Sequence, residues 1–166
     1  MLPKETIMSK TLVAYFSASG QTARLAGTLA RTLGADLYEI VPARKYTKAD
    51  LNWNDAESRS SVEMKDPASR PAIAGSLPDM SQYETVFVGF PIWWYTAPHI
   101  ILTFLESADF AGKTCVAFVT SGSSGMGGTD EDLKKVCPAA RWLRGERLSS
   151  RATEAEVRGW VQSLGL

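Results

Sequence analysis

Several residue types on which protein chemistry often depends are scarce in this chain. Its 166 residues include one histidine, His99, and two cysteines, Cys115 and Cys137. The cysteines form no CxxC motif and show no metal-ligand spacing, so the sequence predicts buried free thiols in a reducing cytoplasm and no metal site. A GxSxG motif followed by a histidine is also missing, which excludes the usual serine hydrolases. We expect His99 to cap a helix or to lie on the surface.

Net charge and long apolar runs are lacking as well. The 18 lysines and arginines balance the 18 aspartates and glutamates, so the formal net charge is zero. Because nucleic-acid binding usually requires a basic surface, this balance argues against such a partner. No apolar stretch is long enough to span a membrane, and the start of the chain lacks the apolar core of a signal peptide. These absences predict a cytoplasmic protein without a membrane span.

What the chain does have is the material for one sizeable core. Apolar residues make up 45% of the sequence, and the length suits a single domain. We expect that domain to cover residues 10–166 and residues 1–9 to form a disordered N-terminal extension.

Short apolar segments alternate with amphipathic ones along this domain. The apolar segments predict strands at residues 12–16, 36–41, 85–90 and 113–119, and a fifth, more polar strand within 141–148. This alternation is typical of an α/β doubly wound three-layer sandwich with a five-stranded parallel sheet in the order 2-1-3-4-5. We expect helix N-terminal caps at Thr129 with Asp132 and at Thr153 with Glu156.

Residues 42–80 form a long connection without a clear periodic pattern, apart from a weakly helical piece at 54–65. Loops of this length are uncommon without a function. The segment either covers an edge of the sheet or acts as a lid over a ligand, with Tyr46, Trp53 and Met64 as its apolar contacts.

Three unusual loops follow the first, third and fourth predicted strands: the first loop (residues 17–22), the second loop (91–97) and the third loop (120–128). In a doubly wound sheet, ligands bind outside the carboxyl ends of the strands at the point where the winding reverses. We therefore expect the three loops to converge on one crevice.

The first loop combines hydroxyl groups with the N-terminus of a helix, where unpaired N–H groups and the helix dipole attract a phosphate. An ordinary helix cap is the alternative. The second loop has aromatic side chains against which a flat ring could stack, and the third lets backbone approach a ligand closely. The candidate binding residues are Ser17, Ser19, Gly20, Gln21, Thr22, Pro91, Ile92, Trp93, Trp94, Tyr95, Thr120, Ser121, Gly122 and Gly127. We expect one of the two tryptophans to meet the ligand and the other to pack or to form a subunit contact.

Other chemistries on similar loops are excluded by missing residues. Gly128 stands where a P-loop needs lysine, and Phe90 and Pro91 stand where a phosphoacceptor receiver needs a carboxylate. No catalytic side chain is predicted, so an enzyme with these residues would take its reactivity from a cofactor.

The first loop, Ser-Ala-Ser-Gly-Gln-Thr at 17–22, resembles the phosphate loop of the flavodoxin family. The sequence Gly-Phe-Pro-Ile-Trp-Trp at 89–94, together with Pro98 and the Arg-Pro pair at 70–71, is similar to short-chain bacterial flavodoxin-like proteins. The resemblance covers residues 10–166 and implies non-covalent FMN. Its phosphate would lie in the first loop, its isoalloxazine along residues 91–95, and its pyrimidine side near the third loop. A pocket without a nearby cation would disfavour the anionic reduced flavin.

Two redox functions fit this resemblance. One is electron transfer to a redox partner protein, as in flavodoxins; the other is an FMN-dependent NAD(P)H:quinone-type oxidoreductase with a small-molecule acceptor. Electron-shuttling flavodoxins are usually acidic, so the neutral charge of this chain weakens the first function and strengthens the second, and both stay open. A flavin-free interaction module on the same fold is a third possibility, and either a monomer or a homodimer is compatible with the sequence.

Overall fold

Strand β1 (Lys10–Tyr15) lies inside the sheet, where it pairs with β2 (Asp36–Glu39) on one side and with β3 (Tyr83–Pro91) on the other. Beyond β3 lies β4 (Thr114–Thr120). The structure is a computed structural model that describes residues 10–121 and 125–166. Within these residues the strands pair in parallel, in the order β2-β1-β3-β4-β5, where β5 is Arg141–Trp142. The predicted fold and strand order are confirmed, whereas the predicted extension at 1–9 lies outside the described residues.

The last position of the sheet is divided between two short strands, β5 (Arg141–Trp142) and β6 (Glu146–Arg147), and both pair with β4. The sequence predicted one strand here. Between them, the backbone N–H of Gly145 donates to a carboxylate oxygen of Asp130 at 3.0 Å instead of joining the ladder. A Cβ at Gly145 would lie 2.8 Å from the carbonyl oxygen of Ala117, so the chain can pass this close to β4 only with glycine.

The described part of the chain has five α-helices, namely α1 (Gln21–Leu33), α2 (Arg59–Lys65), α3 (His99–Glu106), α4 (Thr129–Val136) and α5 (Glu154–Ser163). Alternate residues of the strands point to opposite faces, which produces two cores. Val13 and Phe87 pack under α1 and α5, whereas Leu12, Ala14 and Val88 pack under α3 and α4.

Of the two predicted helix caps, one is confirmed and one is wrong. Thr153 and Glu156 form a reciprocal capping box at the start of α5. At α4 the N-cap is Gly128, which makes no side-chain cap bond, and the carboxylate of Asp132 accepts a hydrogen bond from the hydroxyl of Thr96 at 2.5 Å. A tertiary contact has therefore taken the acceptor that a local cap would use.

The long connection (42–80) folds over α3. Arg70 forms an ion pair with Glu106 at 2.8 Å, and residues near α2 cover His99, which is only 8% exposed. The expected surface or capping role of His99 is therefore wrong, because a sequence-distant segment buries the imidazole. Burial, followed by the positive charge of Arg70, lowers the pKa of His99, while Glu63 and Asp66 oppose the shift.

Burial of this single histidine predicts a pH-dependent stability. A pKa lower in the folded than in the unfolded chain means that the unfolded state binds more protons, so stability falls as pH drops below about 6.5. His99→Gln removes this contribution. Urea unfolding between about pH 7.5 and about pH 5.5 should show a smaller loss of stability in the variant than in the wild type; equal losses would contradict the assignment.

Candidate functional site

The first loop connects β1 to α1 through Gly20, whose φ of 91° is readily adopted only by glycine. The hydroxyl oxygen of Ser17 accepts hydrogen bonds from the backbone N–H groups of Gly20 at 3.0 Å and Ala23 at 3.2 Å. Ser17 thus caps part of the helix start, so the ordinary helix cap considered as an alternative for this loop is present in part.

Several backbone N–H groups at the start of α1 have no hydrogen-bond acceptor in the described part of the chain. Among residues 10–121 and 125–166, no acceptor binds the backbone N–H groups of Ser19, Gln21 and Thr22. Ser19, Gly20 and Gln21 are exposed, so an anion can reach them. Unpaired N–H groups at the positive end of a helix form a suitable phosphate cradle. The hydroxyl of Thr22 does not join them, because it is buried and hydrogen-bonded to the hydroxyl of Thr120 at 2.8 Å.

The second loop reverses direction within four residues. Trp93 and Thr96 exchange backbone hydrogen bonds of 3.0 and 3.1 Å, and the two residues between them, Trp94 and Tyr95, have φ values of 49° and 64°. Positive φ at both central positions is the signature of a type I′ turn, which normally uses asparagine and glycine. Bulky residues in this conformation are strained by about 1–2 kcal/mol each. Such strain is concentrated at functional sites.

The two tryptophans have different surroundings. The Trp93 ring packs edge-on against Phe16, with centroids 5.6 Å apart, and against Tyr46 at 5.4 Å. Trp94 and Tyr95 are 42% and 70% exposed. Trp93 is therefore the anchored ring of this loop, and Trp94 and Tyr95 are open to a ligand or partner.

The third loop docks on the other two. Its described residues are 120, 121 and 125–128, so Gly122 lies outside the described part of the chain. The carbonyl of Thr120 accepts from the N–H of Ile92, and the N–H of Gly128 donates to the carbonyl of Tyr95, both at 3.0 Å. With the Thr22–Thr120 bond, these contacts show that the three predicted loops meet. That the fourteen candidate residues bind a cofactor remains a prediction.

Two cations near the loops were missed by the sequence analysis. The guanidinium of Arg147 donates to the hydroxyl of Ser121 at 2.9 Å, so the expectation of a site without a nearby cation is wrong for the third loop. Lys45 shares with Ser17 the lining of a cavity of about 230 Å³ beside the first loop. Only the splitting of the last strand and the path of the long connection bring these charges close, and neither has a local sequence signal.

Of the three apolar side chains named for a lid, Tyr46 lies against the second loop, and contact of any of the three with a ligand remains a prediction. Tyr46 packs against Trp93 and Phe16, Trp53 is 70% exposed, and Met64 is half-buried. The connection therefore forms a wall behind the second loop as well as covering α3.

The described residues hold no group of side chains suited to a metal ion. Both cysteines are buried and free, as predicted, and burial raises the pKa of Cys115 to about 12, which makes a thiolate nucleophile unfavourable. No described helix is long and apolar enough to cross a bilayer.

A sequence profile of flavodoxins matches residues 10–164. The chain belongs to the flavodoxin family. Among curated proteins, the comparison found no match. Solved structures similar to this flavodoxin-family chain include a candidate flavoprotein from Bacteroides eggerthii DSM 20697, with 49% identity, a TM-score of 0.91, and coverage of 96% of this chain and 99% of the other.

A candidate flavoprotein from Bacteroides uniformis ATCC 8492 is 50% identical, with a TM-score of 0.89 and coverage of 93% and 98% of the two chains. A flavoprotein from Lactobacillus acidophilus NCFM, solved in complex with FMN, is 19% identical, with a TM-score of 0.73 and coverage of 93% and 99%. At that identity the Lactobacillus structure supports the shared fold.

The docking of the third loop on the second can be tested at Gly127. This residue has a φ of 56°, and a Cβ there would lie 2.3 Å from the carbonyl oxygen of Tyr95. Gly127→Ala should lower the free energy of unfolding by about 1–3 kcal/mol. Gly125→Ala is the matched control, since its Cβ would meet no atom within 4 Å. Chemical denaturation should separate the two variants, and equal stabilities would argue against a fixed contact between these loops.

Proposed function

We propose that this chain binds FMN non-covalently and transfers electrons through it, as a flavodoxin-type electron carrier. The observation that carries the proposal is the meeting of three loops at the carboxyl ends of β1, β3 and β4, with unpaired N–H groups at the first of them. Membership of the flavodoxin family and the FMN bound to the Lactobacillus protein support FMN as the cofactor.

The phosphate of FMN would bind at the first loop. The N–H groups of Ser19, Gln21 and Thr22 would donate to it, the hydroxyl of Ser19 is close by in sequence, and Gly20 leaves its approach open, with no side chain in the way. The ammonium of Lys45, on the wall of the adjacent cavity, would add a favourable charge. The loop itself contributes dipoles and hydrogen bonds only.

The ring system would lie along residues 91–95, with its pyrimidine side near Thr120, Ser121 and Gly127. FMN would supply the capacity to take up and release electrons. The chain's own residues would orient the ring, exclude water with Trp94 and Tyr95, and place the Arg147 guanidinium near the third loop. A positive charge there would favour the more negatively charged, reduced form of the flavin.

An FMN-dependent NAD(P)H:quinone-type oxidoreductase is the second candidate, and the net charge of zero favours it. Small electron carriers use a large charge to steer toward oppositely charged partners, and this chain lacks one. We propose a cytoplasmic location, with a redox partner protein or a small quinone as the acceptor, and either a monomer or a homodimer.

Gly20→Val tests the phosphate site. A β-branched residue at a φ of 91° is strained and distorts the loop, so FMN should bind at least tenfold more weakly, about 1.4 kcal/mol. Gly112→Val is the matched control: its φ of 77° imposes similar strain, and it precedes β4 at the opposite end of the sheet. Fluorescence titration with FMN measures both. Equal affinities in the two variants would contradict the assigned loop.

The absorption spectrum of freshly purified protein tests the cofactor itself. The yellow flavin spectrum is expected, and a protein that stays colourless after incubation with FMN would favour the flavin-free module.

Steady-state turnover of the holoprotein with NADH or NADPH and a quinone then separates the two redox functions. Turnover indicates the reductase; its absence, with one-electron exchange to a reductase protein, indicates the carrier.

A further inference from the structure

The long connection contains an ion pair with little exposure to solvent. Arg59 Nε lies 2.8 Å from Glu63 Oε2, and the two side chains are 10% and 15% exposed. Arg59 also donates to the carbonyl of Arg44 at 2.6 Å, and its guanidinium lies 3.8 Å from the centre of the Tyr46 ring. One cation thus ties together two segments of the connection, residues 44–46 and residues 59–63.

Tyr46 completes this group and links it to the second loop. Its hydroxyl donates to the other carboxylate oxygen of Glu63 at 2.5 Å, while its ring packs against Trp93 and Phe16. Burial and the bond to Glu63 raise the pKa of Tyr46 above its usual range, so the hydroxyl remains a donor. The position of Tyr46 is therefore fixed at two points: Glu63 holds its hydroxyl, and Arg59 lies over its ring.

A buried ion pair is a weak source of stability, because apolar residues of similar volume often stabilise as well or better. Such a pair does restrict its partners to one geometry. Here the restricted partner is Tyr46, and Tyr46 is one of two aromatic rings that hold Trp93. Trp93 in turn begins the strained turn that presents Trp94 and Tyr95.

We propose that Arg59, Glu63 and Tyr46 form a positioning network that holds Trp93, and with it the strained turn, in the conformation that binds the flavin. This inference rests on the proposed FMN function. The network acts through Trp93 without contacting the flavin. The long connection is therefore part of the binding site's rigid support, in addition to covering the sheet.

Two variants remove the network without removing bulk. Tyr46→Phe deletes only the hydroxyl and keeps the ring against Trp93. The double variant Arg59→Met with Glu63→Met replaces both charges, so that no buried charge is left unpaired. The control is Arg70→Gln, which breaks the ion pair between the same long connection and Glu106 of α3; the described hydrogen bonds of Arg70 go to Glu106, Pro67 and Ser69.

We expect both network variants to weaken FMN binding about three- to tenfold, close to 0.7–1.4 kcal/mol, and to raise the emission of fully bound flavin, because a looser Trp93 turn quenches it less. Arg70→Gln should change neither the affinity nor the emission, even if thermal unfolding shows that it destabilises the protein as much as the network variants do. Wild-type affinity and emission in both network variants would overturn the inference. A wild-type protein that binds no FMN would instead refute the proposed function.

Discussion

The parallel pairing of β1, β3 and β4 is the constraint on which the rest of the structure depends. Its register places Tyr15 beside Gly89 and Pro91 beside Thr120, so the three strands end at one edge of the sheet. Loops separated by about a hundred residues in sequence therefore begin within hydrogen-bond reach of one another, as the Thr22–Thr120 contact shows. Without this register, a hydroxyl-rich turn, an aromatic turn and a glycine-rich turn would be three unrelated surface features.

The first and second loops are held at this edge by different contacts. In the first loop, Ser17 binds the helix start and leaves other N–H groups available. In the second, a strained turn is held by contacts at both ends: Trp93 packs into an aromatic cluster, and Thr96 binds Asp132. Strain of this kind persists only where the surroundings over-determine the backbone. Contacts from α4 and from the long connection, both outside the loops, offset the backbone strain of the second loop.

Charge is distributed around this edge rather than within it. No lysine or arginine occurs in the first loop, where helix dipole and backbone donors dominate, yet Lys45 and Arg147 approach from neighbouring segments. In the proposed complex, this arrangement would place positive charge at the two ends of the cofactor, near its phosphate and near its pyrimidine ring. A chain with no net charge could then bind an anionic ligand locally, because electrostatic attraction acts over a Debye length and not over the whole surface.

Local patterns in the sequence determined the fold and its strand order, the capping box at Thr153, the buried free cysteines and the family, because each depends on periodicity or on a short motif. Tertiary structure alone decided where the long connection lies, and hence the burial of His99 and the contact of Tyr46 with Trp93. It also divided the last strand, brought Arg147 to Ser121, and assigned Asp132 to Thr96 in place of a helix cap. The physical reason is that these features are competitions for partners between residues far apart in the chain, and a local pattern contains no information about the competitor.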